Sequence, residues 1–259
     1  MGSSVLLGIN GSIANITIDR PEVMNTLSEE ALADLDEVFY TVASQEELRV
    51  AVITGSGEKV FSAGADLKEL ESKSSAEMMM LSEKAQALYQ RIEAIGKPVI
   101  AAVNGLALGA GFELCLASTL RIMADSARVG FPEITLGAIP GYGGTQRLVH
   151  AVGQGVAIEM LLTGEIISAA RAYELGLANQ VVPTAELSDR TSALAERLAG
   201  FSPLAMRILL QVFYLGNDSP LSTGLALERM GVATLFASED LREGISAFRE
   251  KRTPIFRGR

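Results

Sequence analysis

Short apolar strands alternate with helical segments through the first two thirds of this chain, and the strands then stop. Residues 50–54 and 98–103 are continuously apolar, as expected of strands buried on both faces of a parallel sheet. From about residue 187 onward only helical patterns remain. Because parallel strands need a crossover helix between them, this order predicts an α/β fold with a helical region after it.

The boundary between these two regions is predicted near residue 190. We expect an α/β catalytic core over residues 1–190 and a helical C-terminal oligomerisation region over residues 191–259, since helices without strands cannot all cover one sheet. The chain should open with a hairpin that turns at Asn10-Gly11 in a type I′ turn. Further predicted helices span residues 28–42, 75–95, 109–118, 155–162, 169–175, 188–199, 203–214, 221–236 and 240–251, and further strands span 120–124 and 180–182.

Composition excludes several classes of protein. Hydrophobic residues make up 48% of the 259 residues, which is enough for a packed core. The formal net charge of −9 opposes binding to nucleic acid or to an anionic membrane surface. The single Cys115 allows no internal disulfide, and the single His150 cannot build a multi-histidine metal site. No metal is therefore expected.

The chain carries no pattern that predicts secretion or membrane insertion. Residues 1–7 lack a basic segment followed by a long apolar run, and no stretch reaches the roughly 20 apolar residues of a membrane span. We predict a cytoplasmic protein, or one of the mitochondrial matrix if a transit peptide has been removed.

Three segments rich in small residues follow strands, and two of them carry an acid. They are Phe61-Ser-Ala-Gly-Ala-Asp66, Asn104-Gly-Leu-Ala-Leu-Gly-Ala-Gly-Phe-Glu113 and residues 131–147, which contain Glu133 and a glycine-rich loop. Small residues let a ligand approach the backbone, and the first amides of a helix are unpaired donors. Any one of these segments alone is more typical of a tight turn. None has the P-loop pattern, and none fits a dinucleotide-binding loop.

Taken together, the three segments resemble the crotonase superfamily, the enoyl-CoA hydratases and isomerases. The motifs are Ala63-Gly-Ala-Asp66, Gly109-Ala-Gly-Phe-Glu113 and Pro132-Glu133 followed by Pro140-Gly-Tyr-Gly-Gly-Thr-Gln-Arg-Leu148, in the family's order and spacing. The resemblance covers nearly the whole chain. It implies a crotonase-type spiral of ββα units and a C-terminal helical trimerisation region, in a homotrimer or a dimer of trimers.

The resemblance also implies the site and its substrate. The family holds an acyl-CoA thioester carbonyl between two backbone N–H groups, which map here to Ala65 and Ala110. Glycine is common at the second position, and alanine is a mild departure. In similar members the Glu113 position activates a water, and the Glu133 position, 20 residues later, holds that water and handles the α-proton. Coenzyme A is part of the substrate, and no separate cofactor is implied.

Other positions receive weaker assignments. Asp66, Lys68 and Lys97 are expected near the coenzyme A cleft. The predicted substrate contacts are Asp66 and Lys68 together with Ala63, Gly64, Leu67, Gly109, Phe112, Pro132, Gly141, Tyr142 and Lys251. Lys251 and Arg252 are candidates for the coenzyme A phosphates, from the same or a neighbouring subunit. Residues 78–81 suit an acyl tunnel, although a Met-rich helical stripe is more often core. Ser118-Thr119 stands where relatives often carry Cys-Asp.

Two acids favour reversible hydration of a trans-2-enoyl-CoA, because members that keep only the later glutamate tend to be isomerases. Other reactions on the same scaffold stay open: double-bond migration, hydration of a cyclic dienoyl-CoA, and thioester hydrolysis. A non-catalytic RNA-binding or scaffold protein is a further alternative, since folds are reused without their chemistry. A serine-hydrolase site is disfavoured, since no Gly-x-Ser-x-Gly segment is present.

Overall fold

The computed structural model of the protein describes residues 4–259, which form two sheets and ten helices. The strands are β1 (Val5–Asn10), β2 (Ile13–Ile18), β3 (Val50–Gly55), β4 (Val60–Ser62), β5 (Val99–Val103), β6 (Leu106–Leu108), β7 (Leu120–Ala124), β8 (Arg128–Gly130), β9 (Ile166–Ser168) and β10 (Gln180–Val182). The helices are α1 (Glu29–Ser44), α2 (Leu67–Leu70), α3 (Ser75–Ala94), α4 (Ala110–Ala117), α5 (Gly144–Thr163), α6 (Ala169–Glu174), α7 (Leu187–Ala199), α8 (Pro203–Asn217), α9 (Leu221–Phe236) and α10 (Glu239–Glu250).

The larger sheet has six strands in the order β1-β2-β3-β5-β7-β10, which is also their order along the chain. The β1–β2 pair is antiparallel, and the other four pairs are parallel. The β1–β2 hairpin differs from the prediction in its turn. Asn10 pairs with Ile13, so the two turn residues are Gly11 and Ser12. Gly11 has a φ of 57° and Ser12 has no positive φ, which is typical of a type II′ rather than a type I′ turn.

The smaller sheet was not predicted from the sequence. Its strands β4, β6, β8 and β9 have three residues each and lie in that order. β4, β6 and β8 are parallel to one another, while β9 runs antiparallel to β8. The chain leaves β4, β6 and β8 directly into the three segments rich in small residues, so this sheet brings those segments side by side.

Most predicted helices are confirmed, and one begins earlier than expected. Helix α5 starts at Gly144 rather than near residue 155, and Gly153 interrupts its regular backbone with a φ of 77°. The glycines on both sides of Gln154 weakened the helical pattern of the first half. Helices α7 to α10 follow the last strand, as predicted. A division into two units near residue 190 stays a prediction.

Two further observations concern the described residues as a whole. No group of three or more histidine, cysteine, aspartate or glutamate side chains within residues 4–259 is placed to hold a metal ion. In the same residues no single helix is long and apolar enough to cross a membrane, and the one pair that qualifies by length and composition, Thr184–Ala199 with Pro203–Asn217, is bent by 102°. The predicted lack of a secretory signal concerns residues 1–7, of which 1–3 lie outside the described residues.

Candidate active site

The backbone amide of Ala65 is free because of how its segment pairs. Leu27 and Ala65 form an isolated parallel bridge. In it the N–H of Leu27 donates to the carbonyl of Gly64 at 2.8 Å, and the N–H of Asp66 donates to the carbonyl of Leu27 at 3.4 Å. The bridge therefore uses the groups on both sides of Ala65, and the N–H of Ala65 itself points away from Leu27 and has no backbone partner among residues 4–259.

A second free amide comes from Ala110, the first residue of α4. The N–H of a first helical residue has no partner within its own helix. Gly64, next to Ala65, lies close by: a Cβ at that glycine would sit 3.7 Å from the Ala110 nitrogen and 3.0 Å from the Leu108 carbonyl oxygen. The structure thus brings together the two segments whose amides the motifs singled out.

Glu113 lies one turn into α4, and it is only 1% exposed although it carries a carboxyl group. Its Oε1 accepts hydrogen bonds from the N–H groups of Tyr142 at 2.8 Å and Gly144 at 2.7 Å. Burial raises the pKa of this carboxyl to about 7, while the two amide bonds act in the opposite direction. Gly144 has to be glycine, since a Cβ there would lie 2.8 Å from the Glu113 Cγ.

Glu133 lies in a 3₁₀ turn, Pro132–Leu136, that follows β8. A Cβ at Gly109, which precedes the free Ala110 amide, would lie 2.6 Å from the Glu133 Oε1, so this carboxyl is packed against the start of α4. Its Oε2 is buried without a hydrogen-bond partner in the described part of the chain. Burial raises the pKa of Glu133, and the negative charge of Glu133 in turn raises the pKa of Glu113. Two acids with raised pKa values therefore lie at the segment that carries the free amide of Ala110.

Comparison with known proteins agrees with this arrangement. Residues 8–259 match the family of enoyl-CoA hydratases and isomerases. The chain belongs to this family. It is 39% identical to the (E)-benzylidenesuccinyl-CoA hydratase of Thauera aromatica over 98% of this chain and 99% of the relative. It is 41% identical to the 2,3-dehydroadipyl-CoA hydratase of Escherichia coli over 99% of this chain and 100% of the relative.

The crystal structure of an enoyl-CoA hydratase from Bacillus anthracis is similar to the whole chain. It superposes with a TM-score of 0.96 and 37% identity, covering 99% of this chain and 100% of that one. The crotonase-type α/β fold predicted from the motifs is therefore confirmed. Trimerisation through the C-terminal helices stays a prediction.

Most of the other predicted substrate contacts belong to the segments that carry the two amides and the acids. Asp66 caps α2, accepting a bond from the Lys68 N–H at 3.1 Å, and lies 3.8 Å from the guanidinium of Arg20. Leu67 and Lys68 are exposed at the start of α2, Ala63 is half-buried, and Pro132 begins the turn that carries Glu133. The carbonyl of Gly141 accepts a bond from Gln86 in α3 at 2.8 Å.

Several predicted contacts lie elsewhere. Phe112 is fully buried and packs on Phe131 with ring centroids 5.0 Å apart, so it belongs to the core. The ammonium group of Lys97 donates to carbonyls at the end of α1, which belong to none of the three segments that carry the site. Lys251 directly follows α10, which packs on α9, and its contact with the coenzyme A phosphates stays a prediction. Arg252 is paired with two glutamates of the same region.

The residues of the predicted acyl tunnel have different environments. Leu81 is buried in the core, Met78 is partly buried, and Met79 and Met80 are exposed. These residues are thus divided between the core and the surface of α3, and their lining of an acyl tunnel stays a prediction.

Tyr142 and Cys115 are both buried near Glu113. The Tyr142 hydroxyl has no hydrogen-bond partner among the described residues. Burial raises the pKa of this phenol, which therefore remains a hydrogen-bond donor at neutral pH. Cys115 is buried, as predicted for a small hydrophobic residue.

Asn25 supports the Ala65 segment and was not found from the sequence. It is fully buried in a left-handed conformation with a φ of 54°. Its Nδ2 donates to the carbonyls of Ser56 and Val60 at 3.0 and 2.9 Å, so the loop before Leu27 is tied to the segment that precedes Ala65. An asparagine shortly before a helix cap could have signalled a left-handed turn, but nothing in the local pattern indicates its long-range partners.

The variant Glu113→Gln is expected to increase the free energy of unfolding at pH 8 by about 3 kcal/mol and to change it little at pH 4. In the folded protein Glu113 keeps its proton up to about pH 7, whereas the unfolded carboxyl loses it near pH 4.5. Native stability therefore falls as pH rises between these values, and a neutral glutamine removes this loss. Urea unfolding at fixed protein concentration measures the free energy of unfolding at both pH values, and the exposed Glu159→Gln is the control. An equal effect at both pH values would contradict the raised pKa of Glu113 in the folded protein.

Proposed function

We propose that this protein is an enoyl-CoA hydratase that adds water reversibly, in the syn sense, to a trans-2-enoyl-CoA and gives a 3-hydroxyacyl-CoA. The observation that carries the proposal is the packing of the Glu133 carboxyl against Gly109, directly before the free amide of Ala110, with the buried Glu113 one turn further along α4. One carbonyl oxygen and two acids can meet at this point.

The first role falls to the amides of Ala65 and Ala110. They would donate hydrogen bonds to the thioester carbonyl oxygen, which makes the β-carbon of the enoyl group electrophilic. As water adds, that oxygen gains the negative charge of an enolate. A preorganised donor aimed at such an oxyanion contributes about 3 kcal/mol to lowering the barrier. Neither N–H group has to give up a bond within the backbone before it binds the substrate.

The second role falls to the two acids. The Glu113 carboxylate would take a proton from the water as its oxygen bonds to the β-carbon. The Glu133 carboxylic acid would give its proton to the α-carbon as the enolate collapses. A pKa of about 7 lets Glu113 act as a base near neutral pH, and the raised pKa of Glu133 favours its protonated form. Two acids that share one water would deliver its oxygen and the proton to the same face of the double bond, so the addition is syn.

Two observations favour hydration over the other reactions of the family. Double-bond migration needs one acid that moves a proton, yet this site holds a second acid whose Oε1 is aligned by two amides. The two relatives described above are both named as hydratases of CoA thioesters. Those names differ in their acyl groups, so the acyl group is not part of the proposal.

The proposal is tested by assaying purified protein in parallel on crotonyl-CoA, a 3-enoyl-CoA, a cyclic dienoyl-CoA and a saturated acyl-CoA. We expect hydration of crotonyl-CoA to be at least about tenfold faster than double-bond migration or thioester hydrolysis, since a tenfold ratio needs only about 1.4 kcal/mol between barriers. Faster turnover of the 3-enoyl-CoA would make the protein an isomerase. Salt-dependent RNA binding without any turnover would favour the scaffold alternative.

Further parts of the proposal concern the assembly and the rest of the substrate. Exposed apolar side chains crowd the C-terminal helices, among them Leu209, Phe213, Leu225, Met230, Phe236 and Phe248. Exposed apolar surface of this kind marks protein interfaces, so we propose self-association through α8 to α10 as a trimer or dimer of trimers. Coenzyme A enters as part of the substrate, without a separate cofactor. The cytoplasmic or mitochondrial location stays a prediction.

A further inference from the structure

Arg147 and Glu93 form a half-buried ion pair behind the candidate site. The Nε and Nη2 of Arg147 donate to the two carboxylate oxygens of Glu93, each at 2.7 Å. Their side chains are 14% and 24% exposed. A bidentate pair in this environment is geometrically specific, because a planar fork of donors meets a planar pair of acceptors. It fixes the start of α5, which carries Arg147, to the end of α3, which carries Glu93.

The remaining nitrogen of Arg147 reaches the loop that holds Glu113. Nη1 donates to the carbonyl of Tyr142 at 3.1 Å. The N–H groups of Tyr142 and Gly144 are the two donors to the Glu113 carboxyl. A Cβ at Gly143 would lie 2.1 Å from Nη1, so glycine is what lets the guanidinium close on this loop. The loop is thus clamped between Arg147 on one side and Glu113 on the other.

Arg147 also faces a residue that contacts the start of α4. Its guanidinium carbon lies 6.0 Å from the ring centroid of Tyr89, within the range of a cation–π contact. The Tyr89 hydroxyl donates to the carbonyl of Ala110 at 2.9 Å. One cation is therefore connected to both halves of the site, through Tyr142 and through Tyr89.

We propose that Arg147 and Glu93 act as a positioning pair for Glu113, holding its two amide donors in place and setting the electrostatic potential at its carboxyl. This inference rests on the proposed role of Glu113 as base. Arg147 and Glu93 each act through the loop and through their charge, without touching the reacting atoms.

The charges that face Glu113 predict in which direction each substitution should shift its titration. Glu133 raises the pKa of Glu113 and Arg147 lowers it. The buried hydroxyls of Tyr89 and Tyr142 also lie within electrostatic range of this carboxyl. Glu93 touches Arg147 and offsets part of its positive charge. Removing Arg147 and removing Glu93 should therefore move the titration of Glu113 in opposite directions, which a purely structural role of the pair would not produce.

The test compares Arg147→Gln, Glu93→Gln and Arg147→Lys with the unchanged protein. The acidic limb of the pH profile of kcat/KM should move up by about 0.5 to 1 pH unit in Arg147→Gln and down by a similar amount in Glu93→Gln. Arg147→Lys keeps the charge but loses the fork, so kcat should fall about 10- to 100-fold while the limb stays in place. Arg91→Gln, which removes an exposed ion pair between α3 and α1, is the matched control and should leave the profile unchanged.

A second readout does not depend on activity. Each variant is made with and without the additional substitution Glu113→Gln, and the free energy of unfolding of the two proteins is compared from pH 4 to 9. The lower end of the pH range over which Glu113 lowers stability is set by the unfolded chain and should stay in place, whereas the upper end should shift up without Arg147 and down without Glu93. Opposite shifts in a protein without hydratase activity would support the positioning role of the pair and contradict the proposed function. Shifts of the same sign, or no shifts, in an active hydratase would overturn the positioning role of the pair and leave the proposed function standing.

Discussion

Glutamine in place of Glu133 is expected to lower hydratase kcat by about 10²- to 10⁴-fold, the usual contribution of a positioned general acid. The amide keeps nearly the same volume, so the 3₁₀ turn after β8 should fold unchanged. It cannot deliver a proton to the α-carbon of the enolate. Steady-state hydration of crotonyl-CoA measures the loss, and Glu159→Gln, an exposed substitution in α5, serves as control.

The same variant separates the roles of the two acids. Exchange of the α-protons of butyryl-CoA in D₂O needs only the oxyanion donors and an α-proton base, because no water is added. It should disappear in Glu133→Gln and persist in Glu113→Gln, although both variants lose hydration. Full hydratase turnover by Glu133→Gln, or loss of exchange only in Glu113→Gln, would show that the roles are assigned wrongly.

Proline at Ala110 is expected to lower kcat by about 10²- to 10³-fold, the effect of deleting one oxyanion donor. Proline lacks the backbone N–H, and the first position of a helix is where this loss is best tolerated, since that N–H has no partner in the helix. The matched control is Ala110→Gly, which keeps the amide and should retain turnover within a few fold.

The carbonyl itself gives a second measurement for this variant. The infrared C=O stretch of a bound enoyl-CoA should shift to lower frequency in the unchanged protein and in Ala110→Gly, and shift less in Ala110→Pro. A folded proline variant with full turnover and an unchanged shift would remove Ala110 from the oxyanion site. Should the proline variant unfold, the frequency shift in the unchanged protein still tests whether the carbonyl is polarised.

The parts of this fold that could be predicted from the sequence are those with local causes. The buried strand at 50–54 and the four C-terminal helices have enough residues for their periodicity to be visible, and they are confirmed. Glu113 and Glu133 could be predicted because three motifs occur together in one order and spacing, although each acid among glycines is by itself a common pattern. The free state of the Ala65 amide depends on its bridge to Leu27, far earlier in the chain, which no local pattern contains.

The parts that were missed depend on distance along the chain or on very short elements. Strands β4, β6, β8 and β9 have three residues each, too few for alternation to be recognised. Lys97 is expected near the coenzyme A cleft, yet its ammonium group binds carbonyls at the end of α1, 52 to 55 residues earlier in the chain. Arg147 belonged to the recognised motif, but its partner Glu93 lies 54 residues earlier, so the pair was visible only in three dimensions.

The order of strands in the larger sheet has a consequence for how the chain is made. Because each strand from β2 to β10 is added beside one that precedes it in the chain, a polypeptide emerging from the ribosome can dock every new strand onto an edge already formed. The segments that carry the amides of Ala65 and Ala110 are synthesised in the first half of the chain. The donors of Tyr142 and Gly144 emerge 29 and 31 residues after Glu113, so its carboxyl is synthesised before the groups that bind it.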